Sequence, residues 1–138
     1  MCIRDRFIKA FINHQSPILH GDGSQSRDFT YIDNVIQANE LAATTKNTDA
    51  LNQVYNVACG SQSLLIELIE NLKSLLSYFD PEVKNIPVIN SPERIGDVKH
   101  SLASIEKAKK LLGYNPTHSL KEGLTSAIEW YWNYFKNK

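Results

Sequence analysis

Neither sign of charge predominates in this 138-residue sequence, in which fifteen Lys and Arg face fifteen Asp and Glu. That balance excludes a chain-wide field for nucleic acid or an anionic membrane surface, so any anion must be captured by local cations. Cysteine is scarce. Cys2 and Cys59 fit neither a disulfide framework nor the Cys-x-x-Cys spacing of zinc and redox sites, which points to a reducing cytoplasm. No apolar run approaches the roughly 18 residues needed to span a bilayer, and residues 1–6 lack the apolar core of a secretory signal. His14, His20, His100 and His118 show no His-x-x-x-His or His-x-Glu spacing, so no metal site is expected. The six glycines are scattered, and no Gly-x-x-Gly-x-x-Gly run joins a strand to a helix to offer free N–H groups to a dinucleotide pyrophosphate.

What is present is ordinary for a folded domain: 42% hydrophobic and 22% charged residues, and enough chain for one core but not two. Phe7, Ile8, Phe11 and Ile12 mark one helix face that ends near Ser16-Pro17. Residues 1–6, without periodicity, read as a non-native or disordered leader to a domain covering residues 7–138. Ile18-Leu19-His20 reads as a strand closed by Gly21-Asp22-Gly23, and Phe29-Thr30-Tyr31-Ile32 as a second β-prone run. Asp33 is placed to cap a helix carrying Val35, Ala38, Leu41 and Ala42, and Val54–Ala58 reads as an interior strand. Ser63 would cap the strongest helix, with Leu65, Leu68, Ile69, Leu72, Leu75, Leu76 and Phe79 on one side. Ile86–Ile89 is an edge-strand candidate because of Pro87. A helix from Ser104 to Gly113 and another opened by the Ser119–Glu122 capping box complete an α/β pattern. So few short strands make an incomplete sheet, which leaves apolar faces in need of partners.

Two arginines in separate polar loops carry the chemistry, Arg27 in Ser24-Gln25-Ser26-Arg27-Asp28-Phe29 and Arg94 in Pro92-Glu93-Arg94-Ile95-Gly96-Asp97. Two planar guanidinium forks suit the oxygens of a diphosphate, although each arginine could equally serve a surface ion pair, Arg27 with Asp28 or Asp33 for instance. Tyr134 and Lys138 have Tyr-x-x-x-Lys spacing, but at the extreme terminus this is read as coincidence. Cys59 is read as a small buried hydrophobe, and the aromatic cluster from Trp130 to Phe135 as packing or a subunit face.

Taken in order, Gly21-Asp22-Gly23, Arg27-Asp28-Phe29-Thr30-Tyr31-Ile32-Asp33-Asn34-Val35, Tyr55-Asn56-Val57-Ala58 with Gly60, Arg94-Ile95-Gly96-Asp97-Val98, and Lys107-Ala108 through Leu111 to Gly113-Tyr114 resemble the second half of UDP-sugar 4-epimerases in the NAD-dependent epimerase/dehydratase family. The resemblance covers nearly everything from Phe7 onward. It implies the carboxy-terminal substrate-binding part of an extended short-chain dehydrogenase (Rossmann-type) fold, without the half that binds NAD or the catalytic Tyr-x-x-x-Lys helix. It also implies Ile18 and His20 beside uracil, Arg27 and Arg94 on the diphosphate, Asp97 on the ribose, and Ser101 beside the sugar's 2-substituent. A small serine there favours a UDP-N-acetylhexosamine, while serving as a helix-entry cap is the competing role. The implied intact enzyme is a cytoplasmic homodimer performing C4 epimerisation by hydride transfer to and from NAD. A 4,6-dehydratase, decarboxylase or uronate epimerase shares these loops, and a non-catalytic nucleotide-binding module is the alternative from another class.

Overall fold

The computed structural model describes residues 3–137. Helix α1 (Ile3–Ile12) buries Phe7, Ile8, Phe11 and Ile12, the face that the apolar spacing marks. It starts at Ile3, earlier than that face suggests, so residues 3–6 form its first turn; Met1 and Cys2 lie outside the described residues. The helix closes at His14, whose φ of 53° is left-handed, before Pro17 is reached. Strand β1 (Ile18–His20) follows, then the glycine turn, and β2 (Ser26–Arg27).

Helix α2 (Ile32–Thr44) departs from expectation at its start: Tyr31 is the N-cap and donates no side-chain cap, while Asp33 sits in the first turn. Residues 29–31 are extended at Tyr31 (φ −77°, ψ 150°) but pair with nothing, so β propensity there yields no strand. Ala38 is buried on α2, whereas Ala42, expected inward, is exposed. The same holds for residues 54–58. They form no strand, and Val54 is 85% exposed, because a β-rich run becomes a strand only where a neighbour accepts its backbone bonds.

Strand β3 (Ser63–Leu64) runs directly into α3 (Leu65–Leu76). Ser63 is therefore a strand residue rather than a cap, and the Glu67 carboxylate instead accepts from the Leu64 N–H at 2.9 Å. On α3, Leu65, Leu68, Ile69, Leu72 and Leu76 are buried, and each fully buried leucine contributes about 1.5–3 kcal/mol of hydrophobic free energy. A 3-10 turn at Pro81–Asn85, capped by Asp80, leads to β4 (Ile89–Ser91), three residues later than the expected strand. The shift leaves Pro87, which has no N–H, outside the ladder. Helix α4 (Glu106–Leu112) ends in left-handed Gly113 (φ 71°), and α5 (Leu120–Lys136) opens with the expected Ser119–Glu122 reciprocal cap.

Helices α1, α3 and α5 pack around one core that also takes Leu19, Val83 and Ile86. A second cluster joins Ala38, Ala58, Ile105, Ala108 and Tyr114. The strands form two small pairs: β1 with β4 in parallel, Leu19 opposite Asn90, and β2 with β3 antiparallel, Ser26 opposite Leu64. Leu19 of β1 joins the helical core, and the pairs carry the loops between their strands. Among the described residues no helix is long and apolar enough to cross a membrane.

Candidate functional site

The backbone brings the two arginine loops together. Parallel pairing of β4 with β1 launches the second loop beside the glycine turn, where Gly21 N–H donates to Ser91 O at 2.8 Å. Its far end is pinned to β2, with Ser26 N–H donating to Lys99 O at 2.9 Å and Ser101 N–H to Ser26 O at 3.1 Å. Residues 92–101 thus arch between two anchors on the first loop. The glycine turn is tight at both glycines: φ is 81° at Gly21 and 83° at Gly23. A Cβ on Gly21 would meet the Gln25 amide, and one on Gly23 would lie 3.1 Å from Ile66 Cβ. Only glycine combines that conformation with that clearance.

Arg27 and Asp97 form an ion pair, Nη2 to Oδ1, at 2.7 Å. Arg27 Nη1 also donates to Ser26 O at 2.8 Å and Lys99 O at 3.3 Å. Its sequence-proposed partners, Asp28 and Asp33, are not the ones it takes. Asp97 N–H donates to Arg94 O at 3.1 Å, so Asp97 touches both arginines, one through its carboxylate and one through its backbone. The Arg94 side chain is exposed and makes no hydrogen bond or ion pair with any described residue. Its charge is felt nearby: burial first, and then Arg94, lower the affinity of the Arg6 guanidinium for its proton. Arg94, Asp97, Glu93, Lys99 and Gln25 line a recess of about 20 Å³, room for a water molecule, so anything larger must lie across its mouth.

Ile18 and His20 share one face of β1, opposite the buried Leu19. Ile18 is 49% exposed, and His20 Nδ1 lies 3.4 Å from Pro92 O, close against the second loop. Ser101 is exposed next to the Ser26 anchor. All six predicted site residues therefore lie on β1, β2 or the arch between β4 and the Ser26 bridge.

Several motif residues prove to hold the scaffold. The Asp28 carboxylate accepts from the Cys59 and Gly60 N–H groups at 2.9 and 3.0 Å, fastening the first arginine loop to the segment after residue 54. Asn34, fully buried, donates to His118 O and accepts from the Thr117 and His118 N–H groups. Tyr114 donates its hydroxyl to Ala58 O at 2.7 Å. Gln25 is 5% exposed and donates to His20 O at 2.8 Å, tying the end of β1 to the start of β2. The sequence offers only a glutamine two residues after Gly23, a pattern too common to single out. Cys59 is half-buried, with Sγ 3.5 Å from His118 O. Of the Tyr134–Lys138 pair, Lys138 lies outside the described residues.

Larger grooves exist away from the arginines. One of about 370 Å³ runs between residues 28–31 and the start of α5, and one of about 390 Å³ lies over His118 and Lys121. Size alone does not make either the binding site: the first has one guanidinium, Arg4, which is paired with Asp5, and the second one ammonium, Lys121, so neither offers two guanidinium forks.

A parallel β1–β4 pair packed against helices, with the two arginine loops joined at its end, defines an α/β domain. The chain belongs to the NAD-dependent epimerase/dehydratase family, and the GDP-mannose 4,6 dehydratase family model matches residues 3–127. It is 32% identical over 124 residues to a putative UDP-glucose 4-epimerase of Methanocaldococcus jannaschii, covering 90% of this chain and 37% of that protein. Among solved structures, UDP-N-acetylglucosamine 4-epimerase from Methanobrevibacter ruminantium in complex with UDP-N-acetylmuramic acid aligns with TM-score 0.82 and 33% identity, over 96% of this chain and 40% of that one. UDP-glucuronic acid 4-epimerase from Bacillus cereus, in complex with UDP-glucuronic acid and NAD, aligns with TM-score 0.76 and 30% identity, over 99% and 40%. The chain thus spans about two-fifths of the length of these relatives. Its fold is the carboxy-terminal part of the extended short-chain dehydrogenase type.

Among the described residues, no left-handed glycine offers NAD a pyrophosphate cradle. The left-handed glycines at 21, 23, 60, 96 and 113 end a strand, close a helix or sit in loops, and none of them opens a helix N-terminus as a pyrophosphate cradle does.

Proposed function

We propose that this chain supplies the UDP-sugar recognition surface of a nucleotide-sugar 4-epimerase. The observation that carries the reading is the exposed, unpaired Arg94 on the same arch as Asp97, which pairs with Arg27 of β2. An unpaired guanidinium keeps its fork for phosphate oxygens, while the pair beside it holds the remaining N–H groups of Arg27 in place without their having to be ordered on binding. Ile18 and His20 on the outer face of β1 offer a flat wall for the base, and Asp97 keeps an oxygen for ribose hydroxyls. Ser101, small and exposed, leaves room at the sugar's 2-position, which favours a UDP-N-acetylhexosamine. The M. ruminantium relative, with its N-acetylated ligand, supports that choice. In this reading residues 7–138 are the substrate-binding domain of a cytoplasmic homodimer, NAD is held by residues outside these 138, and the chain alone does not turn over substrate.

A uronate epimerase is the second reading, favoured by the B. cereus relative, whose ligand is UDP-glucuronic acid. Calorimetric titration of the chain with UDP, UDP-N-acetylglucosamine, UDP-glucose and UDP-glucuronic acid separates the two. The expected order places UDP-N-acetylglucosamine tightest, with Arg94→Ala weakening every ligand about tenfold, as loss of a charge-assisted contact does. Tightest binding of UDP-glucuronic acid would transfer the assignment to the uronate reading. Absence of UDP binding, or an Arg94→Ala variant that binds as well, would remove the arginine arch from the site.

A further inference from the structure

Outside the arginine arch, three potential metal ligands meet, His14 lying far in sequence from Asp80 and Glu82. His14 Nε2 is 3.0 Å from Asp80 Oδ2, and His14 Nδ1 is 3.7 Å from Glu82 Oε2. Each residue offers one ligand atom such that all three lie within 4.8 Å of one another. We propose that His14, Asp80 and Glu82 form a divalent transition-metal site of the zinc class.

The backbone presets the geometry. His14 closes α1 in the left-handed conformation, with its N–H donating to Phe11 O at 3.1 Å, which fixes where the imidazole leaves the chain. Asp80 caps the 3-10 turn, and its Oδ1 accepts from the Glu82 N–H at 3.1 Å. That bond orients the carboxylate and turns Oδ2 toward His14 Nε2, so a cation would enter between these two atoms, with the turn acting as an outer partner of the ligating side chain. Asp80 is the more sheltered carboxylate, its side chain 19% exposed, whereas Glu82 at 81% is free to swing inward. Closing the triad onto one ion requires ligand atoms about 2.0–2.2 Å from it, and rotation of the Glu82 side chain is the cheapest way to reach that.

Charge argues in the same direction. No Lys or Arg among the described residues makes an ion pair with either carboxylate. Their one basic neighbour is an imidazole, which carries charge only when protonated. A divalent ion meets both negative charges and takes the neutral imidazole as a ligand. Mixed nitrogen and carboxylate donors select zinc and its first-row neighbours over magnesium and calcium, which prefer all-oxygen shells. His14 and Glu82 line an open groove of about 350 Å³, through which water could reach the ion and complete its shell. The ion would tie the end of α1 to the connection between α3 and β4, on which the arginine arch begins.

The test is titration of the untagged chain with ZnCl2, followed by calorimetry and by thermal unfolding. One equivalent should bind and raise Tm, since an ion that binds only the folded state stabilises it. An equal concentration of MgCl2 should leave Tm where it was. His14→Asn keeps a residue that tolerates left-handed geometry, Asp80→Asn keeps the turn cap, and exposed Glu82→Gln threatens folding least. Each should weaken zinc binding about tenfold or more. If the chain binds no zinc, or if these variants bind it undiminished because other histidines or Cys59 hold it, the site does not exist.

Discussion

Arg27 and Asp97, seventy positions apart in the chain, meet at 2.7 Å and make one unit of two residues that the sequence presents as separate ligands. The pair is partly solvent-exposed, with side chains 24% and 40% accessible, so its contribution to folding is small, about 0.2–1 kcal/mol. Its consequence lies in binding. Asp97→Asn should change the urea midpoint little and weaken UDP binding more than a lost ribose hydrogen bond alone would, because Arg27 loses its orienting partner. A double-mutant cycle of Arg27→Ala with Asp97→Asn on UDP affinity checks this: strongly non-additive losses are expected, and additive ones would mean that the residues act independently.

Tyr114 is buried and donates to Ala58 O, and its hydroxyl is held above the ordinary value of 10.0 by burial first, then by Cys59 and Asp28. The folded state therefore keeps this proton at a pH where the unfolded chain has released it. The resulting stability is complete below pH 10, and it is lost as pH rises toward the folded value. Alkaline unfolding curves should show the midpoint of Tyr114→Phe moved to higher pH relative to its stability at neutrality. At neutral pH the same substitution should cost about 1 kcal/mol for the lost hydrogen bond.

Helices were legible in the sequence because their signals are local. The apolar spacing of α3, the Ser119–Glu122 box and left-handed Gly113 all act within a few residues. Strands were legible only in part: Ile18–His20 is the strand its composition suggests, but the others were misplaced, because a strand is defined by a partner that may lie anywhere. Residues 54–58 have the composition of a strand and no neighbour, while Ser26 and Arg27 have the composition of a loop and pair with Ser63 and Leu64. The same distinction divides the site. Arg94 could be named from its residue type and surroundings, whereas the pairing of Arg27 with Asp97 and the fastening of Asp28 to Cys59 and Gly60 depend on contacts 70 and 31 positions away.

Asn34 makes three part-buried bonds, donating to His118 O at 2.8 Å and accepting from Thr117 and His118 N–H at 2.9 and 3.1 Å. Asn34→Ala would leave two N–H groups and one carbonyl without partners at the entry to α5. Each buried orphan costs about 1–3 kcal/mol, and partial hydration should hold the total near 3 kcal/mol. Asn34→Asp retains the acceptor but turns a carboxylate oxygen toward the His118 carbonyl, so it should also destabilise at neutral pH. Urea denaturation of both variants measures this; a loss below about 1 kcal/mol for alanine would show that water replaces the side chain.

Gly123 lies inside α5, where alanine would ordinarily gain about 1 kcal/mol of helix propensity. A Cβ there would stand 2.8 Å from both Cβ and Cγ of Tyr31 and 2.9 Å from its Cδ2. The first of these belongs to the stiff part of the side chain and cannot swing away, so the backbone before α2 must shift. Overpacking of this kind costs about 1–3 kcal/mol, which outweighs the propensity gain. Gly123→Ala should therefore lower stability by about 1 kcal/mol, whereas the paired variant Gly123→Ala with Tyr31→Ala should recover the helix gain relative to Tyr31→Ala alone. Chemical denaturation of the four proteins gives the sign, and a stabilised single variant would mean that α5 and the Tyr31 segment are not packed this closely.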